Sequence, residues 1–290
     1  MKLSKALMTL ALLALMLPGL IACGAKQEQT QEEDLLEASM AAMDEIESYR
    51  MQMSMIMDMS IAGESLNTTT HAQGAVINEP LAMEMQMNMD MGDMGGADVL
   101  MYLEKAEDGT DLVYMSIDGG ASWTRQEGVS AESAETYNVK DNMDLYLKSA
   151  ENFQKAGEET VNDIQTVRYD GFISQEAMNQ VMETSGLQEQ LGILELPEET
   201  MEAIYTDIGQ VPISVWIDPE NKLPVQYEMD MTQVMQNLMD NMLEMVSQEV
   251  EEVGDVLLEI QKVTISMNMS DFNQVESITI PQEAREAASV

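Results

Sequence analysis

Arg50-Met51-Gln52-Met53-Ser54-Met55-Ile56-Met57-Asp58-Met59-Ser60 decides how this chain is read. Methionine occupies every second position, and most residues between are polar. A period of two sends side chains alternately to the two faces of a β-strand, whereas on a helix it would scatter the thioethers around the circumference. Intrinsic propensity points the other way, because Met is a good helix former. Over so long a run the periodicity is the stronger signal. The rhythm returns in Met83, Met85, Met87, Met89 and Met91, separated by Glu84, Gln86, Asn88 and Asp90.

Shorter rows follow the same rule. Val99, Met101 and Leu103 alternate, as do Ile213, Val215 and Ile217. Val225, Tyr227, Met229 and Met231 form another row, and Val263, Ile265, Met267 and Met269 the last. One apolar and one polar face per strand is the signature of an antiparallel sheet with one solvated side. Turn-forming residues separate the runs: Ala62-Gly63-Glu64, Asn78-Glu79-Pro80, Gly92 to Gly96, Asp108-Gly109, Asp118-Gly119-Gly120 and Asp218-Pro219-Glu220-Asn221. His71 falls in a further predicted strand among Thr68, Thr69 and Thr70.

Helical stripes supply a cover for the greasy face. Thr30-Gln31-Glu32-Glu33 reads as a capping box before Leu35, Leu36, Met43 and Ile46. Met143, Tyr146, Leu147, Ala150 and Phe153 have helical spacing after a cap at Asp141. Ser174 caps a segment with Ala177, Met178, Val181 and Met182, continued by Leu187, Leu191 and Leu194. Met201, Ile204, Tyr205 and Ile208 predict a short helix, and Met235, Leu238, Met239, Met242, Met245 and Val246 a longer one. The predicted class is α+β: a long, curved antiparallel sheet, an incomplete β-barrel, whose apolar concave face is covered by helices.

The N-terminus has its own logic. Lys2 and Lys5 precede an apolar run from Ala6 to Leu17, which is of secretory length and short for a membrane span. Leu20-Ile21-Ala22-Cys23 then resembles the bacterial lipobox, in which the cysteine receives a diacylglyceryl group and becomes the mature N-terminus. The competing reading is an ordinary secretory signal with a chance cysteine. The expected organisation is a lipoprotein signal peptide at 1–22, a lipidated Cys23 with a polar tether at 23–34, and one domain at 35–290. Each buried methylene contributes about 0.8 kcal/mol to membrane affinity, so two or three acyl chains anchor firmly. The expected location is the extracytoplasmic face of the cell membrane. Cys23 is the sole cysteine, so no disulfide is available.

Charge narrows the partners. With 13 Lys and Arg against 53 Asp and Glu, the net charge is −40. Nucleic acid is excluded as a partner, because its affinity depends on neutralising phosphates.

The C-terminal half resembles a known fold. Pro212-Ile213-Ser214-Val215-Trp216-Ile217-Asp218-Pro219-Glu220-Asn221-Lys222-Leu223-Pro224-Val225 is similar to a hairpin of LolA/LppX-type lipoprotein carriers. Thr264-Ile265-Ser266-Met267-Asn268-Met269-Ser270-Asp271-Phe272-Asn273 resembles their closing strand, and Ile278-Thr279-Ile280-Pro281 their terminal Ile-x-x-Pro. Asp118-Gly119-Gly120 with Ser122-Trp123 resembles a hairpin of Met-rich lipoproteins of Gram-positive bacteria, a group of unassigned function. The resemblance implies a half-barrel holding acyl chains or a lipidated protein under a helical lid.

The methionine face therefore has three readings. It is a closed core, since Met fills irregular space; or a soft pocket that repacks around acyl chains; or a Cu(I) site, since thioethers suit soft copper. The candidate hydrophobic ligand face comprises Met51, Met53, Met55, Met57, Met59, Met83, Met85, Met87, Met89, Met101, Met229 and Met267. Asp90, Asp93 and Asp98 lie in a glycine-rich turn that lacks EF-hand spacing. No nucleophile elbow, zinc motif or P-loop occurs, His71 is the lone histidine, and no catalytic residue, metal or cofactor is assigned. The expected function is a non-catalytic carrier or chaperone for a lipid or other hydrophobic molecule. An envelope interaction or sensor protein with a filled core, binding a protein partner, is the alternative.

Overall fold

A computed structural model describes residues 35–92, 95–106, 108–127, 147, 150–178, 206–249 and 258–289. The strands are β1 (Ser48–Ile61), β2 (Glu64–Ile77), β3 (Ala82–Asp90), β4 (Gly96–Lys105), β5 (Asp111–Ser116), β6 (Thr124–Glu127), β7 (Ala150–Val161), β8 (Ile164–Ile173), β9 (Val211–Asp218), β10 (Leu223–Asp230) and β11 (Leu258–Ser270). They form one 11-stranded sheet in the order β6-β5-β4-β3-β2-β1-β11-β10-β9-β8-β7. Each pair of neighbours is antiparallel. The sheet does not close, and so is an incomplete barrel. Among the described residues, two meanders, β1 to β6 and β7 to β11, pair with each other only where β1 meets β11.

Register turns the alternation into a continuous surface. Met51 lies opposite Gly74, Gly74 opposite Met85, Met85 opposite Met101, and Met101 opposite Met115. One step along, Met53 faces Ala72 and Ala72 faces Met87. In the other direction Met53 faces Met267, which faces Tyr227 and then Val215. Side chains opposed in this way share one face of the sheet.

Helices cover that face. Residues 35–44 form helix α1, and Leu35, Leu36, Met40 and Met43 pack into the core that holds Met51 and Met83. Ile46 lies just beyond α1 and is buried there. Helix α2 (Thr232–Glu249) contributes Val234, Leu238 and Met242, spaced one turn apart, to the same core. Its polar side chains fasten it. Thr232 Oγ1 accepts from the Val263 N–H at 3.0 Å, and Gln236 Oε1 from the Ile260 N–H at 2.6 Å. These bonds occupy the start of β11, where its pairing with β10 stops at Thr264.

Two predicted helical stretches are corrected. Ala150 and Phe153 belong to strand β7, where Ala150 pairs with Ile173 of β8. Their helical spacing is overridden by tertiary pairing, and a register shift between Glu151 and Gln154 accommodates Asn152 at φ 57°. Ile208 is fully buried but lies outside any helix. The Ser174 cap stands: its Oγ accepts from the Ala177 N–H at 3.3 Å, and residues 175–178 are helical. Thr30 to Glu33, Asp141, Met143, Tyr146, Val181, Met182, Leu187, Leu191, Leu194, Met201, Ile204 and Tyr205 lie outside the described residues, as does the signal and tether segment.

A small second core sits on the polar face. Helix α3 (Gln282–Arg285) places Ala284 beside Ile280 and Tyr114, against Tyr102, Leu112 and Trp123. Arg285 grips the Glu104 carboxylate with two nitrogens, at 2.6 and 2.8 Å. The adjoining hairpin turns on Gly119 and Gly120, at φ 67° and 96°, a region that glycine enters without steric cost. Asp118 staples this turn, accepting from Ser116 Oγ at 2.7 Å, from the Ser122 N–H at 2.9 Å and from Ser122 Oγ.

Those donors, the Ser122 hydroxyl foremost, lower the Asp118 pKa from 3.8 to about 2. A carboxyl depressed on folding adds stability above its unfolded pKa, and that contribution is lost as pH falls through about 2. Side-chain NMR titration should place the Asp118 midpoint near that value. In Ser122→Ala it should move up toward the ordinary carboxylate range.

Candidate ligand-binding face

The methionine face is graded along its strands. Met51, Met83, Met101, Met229 and Met267 are buried, with 2%, 1%, 5%, 7% and 4% exposure. They belong to one hydrophobic core with Tyr49, Leu103, Ile213 and Tyr227. Met53, Met55, Met57, Met59, Met85, Met87 and Met89 are half-buried. The predicted face is thus closed at Met51, Met83 and Met101 and, on β10 and β11, at Met229 and Met267, and half-covered on β1 and β3 toward the β1–β2 turn.

The half-covered end has a distinct cross-section. β2 offers Ala72, Thr70 and Thr68 between Met53, Met55 and Met57 of β1. On its other side Ala72 and Thr70 face Met87 and Met89 of β3. Short side chains flanked by longer thioethers make a furrow along β2. Unbranched, polarizable Met side chains adjust rotamers at little cost, so such a furrow adapts to flexible apolar chains.

Other sequence candidates take structural posts. The Asp90 carboxylate accepts from the Gly92 N–H at 2.9 Å, and Asp98 from Asn88 Nδ2 at 2.7 Å, so both serve the β3–β4 hairpin. Asp218 accepts from the Glu220 N–H at 2.8 Å and from Asn221 Nδ2 at 2.6 Å, as its turn reading requires. Trp216 is buried, donates to Glu159 Oε2 at 3.0 Å, and lies under the Arg168 guanidinium at 5.0 Å. Among the described residues no group of three or more His, Cys, Asp or Glu could hold a metal ion. Among them, too, no helix is long and apolar enough to cross a membrane. Cys23 and Asp93 lie outside the described residues.

None of the predicted ligand-face residues belongs to the opposite face. Two clefts open there, of about 380 and 490 Å³, and both are lined by Gln52, Gln73 and Gln86. His71 lines the larger one. The signal was present in the residues between the methionines, which are amides and hydroxyls more often than charges.

Among solved structures, the chain is similar to the lipoprotein LppX of Mycobacterium tuberculosis, at 14% identity, covering 86% of this chain and 99% of that one, with a TM-score of 0.42. It is also similar to LprF from Mycobacterium bovis, at 14% identity, 88% and 98% coverage and a TM-score of 0.47. A putative outer membrane lipoprotein-sorting protein domain from Vibrio parahaemolyticus matches at 11% identity, 86% and 96% coverage and a TM-score of 0.27. With TM-scores this low, the architecture rests on the chain's own strands and register. No curated protein sequence matches the chain. Its sequence matches one family model over residues 31–289, and the protein therefore belongs to DUF6612, a family of unknown function.

Proposed function

We propose that this protein is a membrane-anchored, extracytoplasmic lipoprotein that carries or chaperones a lipid or other hydrophobic molecule, without catalysis. Cys23 would bear the diacylglyceryl anchor, residues 24–34 would be the tether, and 35–290 one domain. The observation that carries the reading is the half-covered methionine furrow along β2, flanked by Met53, Met55 and Met57 on one side and Met87 and Met89 on the other. Each acyl methylene buried there contributes roughly 0.8 kcal/mol. A chain of a dozen carbons would therefore bind well without any hydrogen bond. The filled-core alternative draws support from the buried end, where Met51, Met83, Met101 and Met267 already pack against one another and the helices.

Native mass spectrometry of the mature protein, combined with lipid extraction, separates the two. A stoichiometric noncovalent adduct of lipid mass is the expected result and names the ligand class. A clean apo mass, unchanged after incubation with host lipids, overturns the carrier reading and favours a protein partner.

A further inference from the structure

We propose that the polar face of the sheet is a second binding site, built for a neutral saccharide chain and independent of the methionine furrow. The register lines up an amide row across consecutive strands. Gln226 of β10 lies opposite Asn268 of β11, Asn268 opposite Gln52 of β1, Gln52 opposite Gln73 of β2, and Gln73 opposite Gln86 of β3. Strands stand about 4.8 Å apart, so these amides repeat at a spacing close to that of sugar hydroxyls along a chain. The two clefts on this face share Gln52, Gln73 and Gln86, and so form one trough. Each is of a size that holds a small ligand.

The chemistry of the lining selects the ligand. In a chain with 53 acidic and 13 basic residues, an average surface trough would be strongly negative. The carboxylates lining this one are Glu84 and Asp271, at one end, and Arg50 lies between them at 3.7 and 3.6 Å. The lining therefore carries a formal charge of only −1, confined to one end, and the amide row itself is uncharged and offers little to a cation or an anion. An amide presents two donors and an acceptor with two lone pairs, which suits hydroxyls that both give and accept hydrogen bonds. Gln73 Nε2 donates to Gln86 Oε1 at 3.2 Å, a single bond that leaves both side chains further capacity and orients them. Leu100 and Tyr102 provide an apolar wall at one end, with the Tyr102 ring set against Trp123 at 5.8 Å between centroids. A pyranose has this same division, with polar rims and apolar C–H faces. An extended peptide is the poorer fit. It gains most of its affinity by pairing with a strand edge, and the backbones here are interior to the sheet and already paired.

The test is titration of the full-length protein, in a zwitterionic detergent without a sugar headgroup, with neutral hexasaccharides of glucose and of N-acetylglucosamine. Binding is read by calorimetry and by side-chain amide NMR. The expected result is micromolar to millimolar affinity for at least one hexasaccharide, with the Gln52, Gln73 and Gln86 amide signals shifting. Gln52→Ala and Gln73→Ala should each weaken binding about tenfold, the equivalent of one 1.4 kcal/mol contact. Gln233→Ala, which removes an exposed amide on α2, should leave it unchanged. Absence of binding up to about 10 mM, where affinity is below any specific complex, overturns the proposal. So does binding that leaves the three amide signals unmoved, or a neutral Gly-Ser peptide that binds the trough more tightly than every saccharide. The amide signals are read on the unsubstituted protein, so the outcome stands even if a variant misfolds.

Discussion

Met83→Asp should prevent folding, whereas Met87→Asp should leave the fold intact and abolish loading with a hydrophobic ligand. The two residues lie on the same face of β3, four positions apart. Met83 is 1% exposed, opposite Leu103 and Val76 and inside the main core. An unpaired carboxylate there costs several kcal/mol, against a total stability of about 5–15 kcal/mol for a typical domain. The milder Met83→Ala should still cost about 2–5 kcal/mol, through lost burial and the cavity it leaves. Met87 is half-buried beside Ala72, where a carboxylate can turn toward water. Its cost to the folded protein is small, but it sets a charge in the furrow where acyl carbons would lie. Urea melts followed by circular dichroism read the first effect, and native mass spectrometry after lipid incubation reads the second. Wild-type loading in a folded Met87→Asp protein would remove the furrow from consideration as the binding surface.

Gly74→Ala should destabilise the protein by about 1–3 kcal/mol, the usual cost of forcing an extra carbon into a packed site. Gly74 stands on β2 between Met51 and Met85. A Cβ built there would collide with the backbone carbonyl oxygen of Glu84, and would touch the Met85 Cα at 3.4 Å. Backbone cannot rotate away as a side chain tip can, so β2 and β3 must separate locally. Gly63→Ala in the β1–β2 turn is a useful contrast. There a Cβ meets nothing within 4 Å, and the cost is the strain of φ 86° alone. Thermal unfolding of the two variants beside the parent checks the difference. Equal melting points for Gly74→Ala and the parent would show that the two strands do not approach so closely.

The strands were legible where alternation was strict and long. Met51 to Met59 and Met83 to Met89 stand on their predicted faces, because a two-residue period admits no other regular arrangement. β7 was not legible: Glu151, Gln154, Lys155 and Glu158 are exposed on an edge strand, and no apolar row marks them. Its helical look came from Ala150 and Phe153, whose strand state is imposed by β8. The extent of the methionine face was readable, but its division into closed and half-covered ends was not. That division depends on where α1 and α2 rest, and side-chain periodicity says nothing about placement. The polar trough escaped for a related reason. Each of Gln52, Gln73, Gln86 and Asn268 is unremarkable alone, and only the register brings them into a row.

The single seam between β1 and β11 sets an order on how the chain acquires its structure. Every other pairing in the sheet joins strands that are neighbours in sequence, so each meander can form from contacts made close at hand. The seam joins Arg50 to Ser270, with most of the polypeptide looped between. Closing so large a loop exacts its entropy before the new contacts compensate, which makes distant strand pairing intrinsically slow. Within the sheet, β11 is also the last of the described strands to be synthesised. A nascent chain therefore carries one unpaired edge of β1 until β11 arrives. During that interval the open edge can pair with other chains, and the surplus of negative charge would hold such chains apart.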